Sequence, residues 1–183
     1  MGLYIAIGVA VLILLFVIAT YNGLVSRRAL VAEGWSGIDA QLKRRADLIP
    51  NLVETVKGYA THERTTFDEL ARLRTSGSSQ DPAQRAQTEQ AITAAIGKIM
   101  AVAEAYPELK ASANFQSLQH DLADIEDQIQ LARRYYNGAV RNLNVSVQQF
   151  PSNLVANATG FTPAQFFQLD NAADREAPKV SFG

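Results

Sequence analysis

The two histidines, His62 and His120, are the side chains whose neighbours would reveal a metal site. Helical bundles that hold two metal ions use Glu-x-x-His repeats, but Tyr59 and Ser117 stand where those glutamates are needed. The glutamate after His62 begins an HExxH zinc motif, which then requires a histidine at the position of Thr66. The sequence therefore predicts no metal and no cofactor, and it favours simple hydrogen bonding at the edge of a helix for His62 and its neighbour.

No other set of residues has the spacing of a catalytic group. Serine, histidine and acidic residues occur, but not as a nucleophile elbow such as GxSxG, and cysteine is absent. The 183 residues allow one ordinary domain plus an appendage, and a formal net charge of −1 does not favour a nucleic-acid partner. We therefore predict that the protein is not an enzyme and binds no nucleic acid.

Two charged clusters remain as candidate contact sites. An acidic run, which we interpret as a solvated helix face, comprises Asp121, Asp124, Glu126 and Asp127. The sharpest basic cluster comprises Lys43, Arg44 and Arg45. If the helix stands upright on a bilayer, this cluster lies roughly 33 Å beyond the apolar segment, which exceeds a Debye length. We therefore expect it to form salt bridges with Asp39, Asp47 or the acidic run of another copy rather than to contact lipid headgroups.

The apolar segment covers residues 3–21 and reads LYIAIGVAVLILLFVIATY. As a helix it would span roughly 28 Å, about the thickness of one hydrocarbon core. Leu3, Leu12 and Phe16 supply apolar surface, and Tyr4 and Tyr21 stand at the two ends, where aromatic rings suit the headgroup layer. We predict a transmembrane anchor at residues 1–21.

A cleaved signal peptide is the alternative to an anchor, but it needs a basic amino-terminal region and a shorter apolar core. No charged side chain precedes Arg27 in this sequence. Arg27 and Arg28 follow the apolar segment, so the positive-inside rule predicts an outward amino terminus and a cytoplasmic carboxy-terminal part.

A heptad stripe of apolar and small residues continues beyond the anchor, interrupted by Arg45 and Glu63. The stripe comprises Val31, Trp35, Ile38, Leu42, Ile49, Leu52, Val56, Tyr59, Thr66, Leu70 and Leu73. Because it passes through Pro50, we expect one kinked helix from Leu3 to about Ser76, although a split at Pro50 would add a fourth helix.

Two further helices are predicted from capping residues and prolines. Asp81 and Pro82 begin the second helix, and Pro107 stops it. The third helix begins near Ser112 and is closed by Pro151. Its heptad stripe comprises Phe115, Leu118, Leu122, Ile125, Ile129, Ala132, Tyr136, Val140, Leu143 and Val147.

These helices predict an all-α fold, in which the transmembrane helix continues into an elongated up-and-down antiparallel bundle. The bundle would cover residues 22–149, and residues 150–183 would form an aromatic-rich tail. We expect Phe161, Phe166 and Phe167 to dock on this bundle, on a neighbouring subunit or on lipid, with a short helix starting at Thr162–Pro163. The first helix is far longer than the second, so we also expect its stripe near the membrane to lack a partner within the chain.

The segment IDAQLKRRADLIPNLVETVKGYATHE at residues 38–63 resembles the LemA family of bacterial membrane proteins. YPELKASANFQSLQHDL at 106–122, IEDQIQLARRYYNGAVRNLN at 125–144 and the FPSN element of the tail resemble the same family. The resemblance implies an anchor in the bacterial inner membrane, a cytosolic helical bundle and no assigned enzymatic activity. It also implies a family that extends to proteins of magnetosome membranes.

Three hypotheses of function follow, from different classes. The first is a membrane-anchored, self-associating scaffold that organises or shapes the bilayer, with Trp35, the basic cluster and the tail phenylalanines as contact residues. Small residues in the anchor, at Gly2, Ala6 and Ala10, would allow close helix contacts in lipid. The alternative is a single-pass signalling adaptor that binds a cytosolic protein. A metalloprotein bundle ranks third, because the ligand spacing is missing.

Overall fold

The structure is a computed structural model and describes residues 1–60, 64–76, 79 and 81–168. Every regular element within these ranges is a helix, which confirms the all-α prediction. The helices are α1 (Gly2–Lys57), α2 (Arg64–Ser76), α3 (Pro82–Glu104), α4 (Pro107–Lys110), α5 (Ala113–Gln148) and α6 (Ser152–Thr159).

The first helix, α1, runs for 56 residues and contains Pro50. A proline inside a helix removes one backbone donor and crowds the carbonyl four residues earlier, so the helix needs support from packing. That support comes from Ile49, Leu52 and Val56, which flank Pro50 and are buried in one apolar cluster. The predicted continuity from the apolar segment through Pro50 is confirmed, and the chain is not split there.

The predicted end of the first helix near Ser76 is wrong, because α1 ends at Lys57 and α2 is a separate helix. Glycine directly after the last turn is a common stop for a helix, and Gly58 holds that position. The amides of Tyr59 and Ala60 both donate to the Val56 carbonyl, at 3.0 and 2.9 Å. Buried apolar residues occur again in α2, at Phe67 and Leu70, so the spacing of apolar residues in the sequence did not reveal the turn.

The second predicted helix corresponds to α3. The Asp81 carboxylate caps it by accepting from the amides of Ala83 and Gln84 at 2.8 and 3.1 Å, and Pro82 occupies its first turn. Helix α3 ends at Glu104, and Pro107 begins the four-residue α4. The predicted cap and start are therefore confirmed.

The third predicted helix corresponds to α5, which begins and ends within a few residues of the expected positions. The short helix of the tail is α6 rather than a helix starting at Thr162–Pro163, so that prediction is wrong. Gly160 ends α6 with a left-handed φ of 75°, which glycine adopts without steric cost. Beyond it, Asn144 bonds to both the amide and the carbonyl of Ala164, so the backbone there is held outside a helix.

The chain forms two compact units, to which α1 and α5 both contribute. The first unit contains Met1–Gln41 and Asp127–Phe166, and the second contains Leu42–Glu126 together with Phe167 and Gln168. The core of the first unit comprises Leu24, Leu143, Val147, Val155, Ala156 and Phe161. The core of the second unit is formed by α1, α2, α3, α4 and α5, and includes Leu52, Phe67, Leu70, Ile99, Leu109 and Phe115.

The stripe of α1 next to the apolar segment is covered within the first unit, contrary to expectation. Leu24 and Ile38 are both 0% exposed. A Cβ added to Gly34 would lie 3.0 Å from the Cα of Tyr136, so α5 crosses α1 closely at that point. The expectation compared α1 with the short second helix only, whereas α5 has 36 residues and supplies the missing partner.

Candidate functional site at the apolar end of the first unit

The amino-terminal part of α1 is apolar and is not covered by the rest of the chain. An 18-residue window there has a mean hydropathy of 2.9, and none of it is buried. Leu3, Leu12 and Phe16 are 71, 67 and 44% exposed, and the flanking Tyr4 and Tyr21 are exposed as well. This helix is long and apolar enough to cross a membrane.

Phe161 docks where the apolar segment enters the core of the first unit. Its ring meets the Tyr21 ring edge-on, with 6.0 Å between centroids and an interplanar angle of 78°. The guanidinium carbon of Arg28 lies 4.9 Å from the centroid of the same ring. Phe161 is buried with Leu24 and Val155, so one of the three predicted docking residues packs on its own chain.

Two polar side chains of α5 fasten the segment that follows Phe161. Asn144 donates to the Ala164 carbonyl at 2.9 Å and accepts from the Ala164 amide at 2.7 Å. The Tyr136 hydroxyl donates to the Gln165 carbonyl at 2.8 Å, and burial raises the pKa of Tyr136 above its usual value of 10.0. The sequence placed Tyr136 in the apolar stripe of the third helix, and no local pattern linked it or Asn144 to the tail.

The other predicted contact residues have different environments. The Trp35 ring lies 5.6 Å from the Tyr136 ring at an angle of 55°, so it packs on α5 of the same unit. Phe166 is partly exposed, and Phe167, in the second unit, is fully buried. Trp35, Phe161 and Phe167 are therefore not freely available to another copy.

The basic cluster is divided by the fold, because Lys43 and Arg44 are exposed whereas Arg45 is 2% exposed. Arg45 donates to Glu89 at 2.5 Å and to Glu126 at 2.9 Å, all within the second unit. The sequence predicted a salt bridge between this cluster and the acidic run of another copy. For Arg45 the acidic run supplies Glu126 of the same chain.

The buried residues Arg45 and Glu89 and the partly exposed Glu126 form a charge cluster that joins α1, α3 and α5. Thr93 accepts from Arg45 at 3.0 Å, and Arg85 lies 3.1 Å from the second carboxylate oxygen of Glu89. Such a cluster is costly to desolvate and adds little net stability, but removing one member leaves a buried charge without compensation. We interpret this cluster as fixing the register of the three helices, because any other register would separate the charges.

The candidate metal ligands do not converge within the described part of the chain. No group of three or more His, Cys, Asp or Glu side chains there is arranged to hold a metal ion. His120 is exposed and lies 3.5 Å from Asp124, one turn away on α5. His62 and Glu63 lie outside the described residues.

Comparison with known proteins identifies two groups of relatives. Magnetosome protein MamQ 2 of Paramagnetospirillum magneticum is 26% identical over 181 residues, which is 84% of this chain and 66% of the relative. Magnetosome protein MamQ of Magnetospirillum gryphiswaldense is 30% identical over 80 residues, or 44% of this chain and 29% of the relative. Protein LemA of Metamycoplasma hominis is 26% identical over 149 residues, or 80% of this chain and 68% of the relative.

The chain thus spans just under two thirds of the length of the MamQ relative that it matches over most of its own residues. The sequence profile of the LemA family matches residues 34–182, which is most of the chain. Together with the uncovered apolar segment of α1, these relatives support a membrane-associated helical protein. On the extent of the profile match, the chain belongs to the LemA family.

Proposed function

We propose that this protein is a membrane-anchored helical scaffold that self-associates and organises the bilayer around it. The observation that carries the proposal is the continuity of α1. The same helix contains the uncovered apolar segment and the buried residues Leu24 and Ile38 of the first unit. An anchor joined to a folded core without a linker holds that core at a set height and angle on the membrane, which is what a scaffold requires.

The proposed topology places the amino terminus outside and the bundle in the cytoplasm, in a bacterial inner membrane. Arg27 and Arg28 lie on the bundle side of the apolar segment, where the positive-inside rule places cytoplasmic charges. The relatives come from Paramagnetospirillum, Magnetospirillum and Metamycoplasma, which are bacteria, and this agrees with a bacterial source.

Self-association is assigned to the anchor rather than to the stripe of α1. Leu24 and Ile38 of the stripe are buried and α5 lies against Gly34, so this part of α1 offers little apolar surface to a second copy. In contrast, Gly2, Ala6 and Ala10 recur every four residues on the exposed apolar part of α1. Small residues at this spacing let helix backbones approach closely in lipid, where association depends on van der Waals packing.

The organising role is proposed from the relatives, since two of them are named as magnetosome proteins. We propose no catalytic role and no cofactor for this chain, because the polar residues of the described core are engaged in fastening helices and the tail. The exposed residues Lys43 and Arg44 are proposed as a secondary contact between copies.

The test is the mass of full-length protein in lipid nanodiscs and in mild detergent. We expect the wild type to form oligomers, and the double substitution Ala6→Leu with Ala10→Leu to shift the distribution towards monomer. Val11→Phe adds comparable bulk on another face of the same helix and serves as the matched control, which should keep the wild-type distribution. A wild-type protein that is monomeric at every concentration in both environments would exclude a self-associating scaffold.

A further inference from the structure

An open groove lies between α1 and α5 in the first unit, immediately beyond the apolar segment, and has a volume of about 700 Å³. Arg27 on α1 and Arg141 on α5 both line it, and Ser26 and Asn142 add polar side chains. Leu30 and Val145 contribute apolar surface. None of the described residues that line the groove is acidic.

We propose that this groove binds the phosphate headgroup of an anionic phospholipid from the adjacent leaflet, whose acyl chains remain in the bilayer beside α1. The inference rests on the membrane anchoring in the proposed function and does not depend on self-association. It assigns a ligand class to a site built from residues of both long helices.

The charge of the groove favours an anion. Within the described part of the chain, neither Arg27 nor Arg141 forms a salt bridge, although each has a strongly basic guanidinium. Two like charges on facing helices repel each other, and a phosphate between them would accept hydrogen bonds from both. Arg28, next in sequence, is directed instead to the ring of Phe161 and is not part of the groove.

The height of the groove also matches a headgroup. A Cβ added to Gly23 would lie 3.0 Å from Nη1 of Arg27, so this guanidinium reaches back by one turn to the level of Gly23. Gly23 is two residues beyond Tyr21, the end of the predicted span, which corresponds to a rise of about 3 Å. The headgroup layer extends roughly 5–7 Å beyond the hydrocarbon core, so this cation lies within it.

A separate observation indicates that the same end of the unit contacts lipid. Helix α5 runs antiparallel to α1, because Tyr136 lies at Gly34 and Val147 packs with Leu24. The chain after α5 therefore reaches the level of the apolar segment. There Phe150 and Leu154 are 74 and 60% exposed. Exposure of these apolar side chains to water costs free energy, whereas contact with a membrane interface is favourable.

The experiment measures binding of short-chain lipids to purified full-length protein in neutral detergent. The probes are dihexanoyl phosphatidylglycerol, dihexanoyl phosphatidylcholine and inorganic phosphate. We expect the wild type to bind the phosphatidylglycerol probe more tightly than the other two. Arg27→Gln with Arg141→Gln should weaken this binding by about 30-fold, since one hydrogen bond from an arginine to the phosphate contributes roughly fivefold.

The matched control is Arg133→Gln with Arg134→Gln, which removes the same charge from α5 away from the groove and should leave affinity within about twofold. Trp35 fluorescence shows whether each variant retains the packing of α1 on α5. Equal loss in both double variants, or equal affinity of the wild type for the phosphatidylcholine probe, would overturn the assignment. Equal binding of inorganic phosphate would identify a free-anion site instead of a lipid site. Because the affinity is measured on dispersed protein, a monomeric wild type would contradict the scaffold and leave this result intact.

Discussion

Gly34 and Gly37 form a matched pair that tests the close crossing of α1 and α5. A Cβ on Gly34 would lie 3.0 Å from the Cα of Tyr136 and 3.2 Å from Cδ1 of Tyr135, whereas a Cβ on Gly37 would meet no atom within 4 Å. Both glycines lie inside α1, so alanine should stabilise the helix by about 0.5–1 kcal/mol at either position. The difference between the two variants therefore isolates the contact with α5.

Overpacking of a closely packed contact costs about 1–3 kcal/mol. We expect Gly37→Ala to raise the free energy of unfolding of the first unit by about 0.5–1 kcal/mol. For Gly34→Ala the clash exceeds the gain in helix propensity, and the free energy of unfolding should fall by up to about 2 kcal/mol.

The single tryptophan makes this difference measurable. Trp35 lies 5.6 Å from the ring of Tyr136, so its fluorescence reports separation of α1 from α5. Urea titrations of the wild type, Gly34→Ala and Gly37→Ala in lipid nanodiscs should give midpoints in the order Gly37→Ala, wild type, Gly34→Ala, from highest to lowest. Equal stabilisation by both substitutions would show that α5 does not approach Gly34. It would contradict the conclusion that α5 covers the apolar stripe of α1 in the first unit.

Three further predictions address other contacts. Arg45→Met leaves Glu89 buried beside Arg85 alone and should lower the free energy of unfolding of the second unit by about 3–5 kcal/mol, whereas Lys43→Met should change it by less than about 0.5 kcal/mol, both measured by urea titration followed by circular dichroism. Asp81→Ala removes the cap of α3 and should cost about 0.5–2 kcal/mol, measured by the thermal midpoint in circular dichroism. The raised pKa of Tyr136 means that the folded state favours the neutral phenol. The contribution of this side chain to the free energy of unfolding is therefore present below pH 10 and is lost as pH rises through the folded-state pKa. Tyr136→Phe should cost about 0.5–1.5 kcal/mol at pH 7 and reduce the alkaline loss of stability, and an unchanged alkaline profile would contradict this.

The heptad spacing predicted most of the helices because a buried stripe is a local pattern that survives in the fold. The stripe of α5, from Phe115 to Val147, is buried at almost every predicted position. The start of α3 at Asp81 and Pro82 could also be predicted from the sequence, since a capping residue and a first-turn proline act on neighbouring residues.

The errors have a common physical origin, because periodicity reports which face of a helix is buried and not where the chain turns. The predicted stripe continued through Tyr59 and Thr66 to Leu70, whereas after the turn at Gly58 the buried residues are Phe67 and Leu70 and Tyr59 is exposed. Because Leu70 kept the spacing, α1 and α2 appeared continuous. The sequence also did not show which residues, distant from each other along the chain, form salt bridges. Arg45 interrupted the apolar stripe visibly, but its pairing with Glu89 and Glu126 depends on how three helices meet.

The site at the apolar end was only partly predictable. The sequence alone identified the apolar segment, the two tyrosines at its ends and the arginines that follow it. The groove is lined by both Arg27 and Arg141, which are more than a hundred residues apart in sequence, and no local pattern contains that information.

The central claim is that α1 passes without interruption from a lipid bilayer into the core of the first unit. The chain has no cysteine, so single cysteines carrying a nitroxide label can be placed along residues 3–42 of otherwise native protein in liposomes. Labels up to Tyr21 should be accessible to oxygen and protected from a water-soluble relaxation agent. Beyond Gly23, accessibility to that agent should follow a helical period, with protection at Leu24, Ile38 and Leu42. Water accessibility throughout residues 3–21, or a flexible break between them and Leu24, would contradict the account.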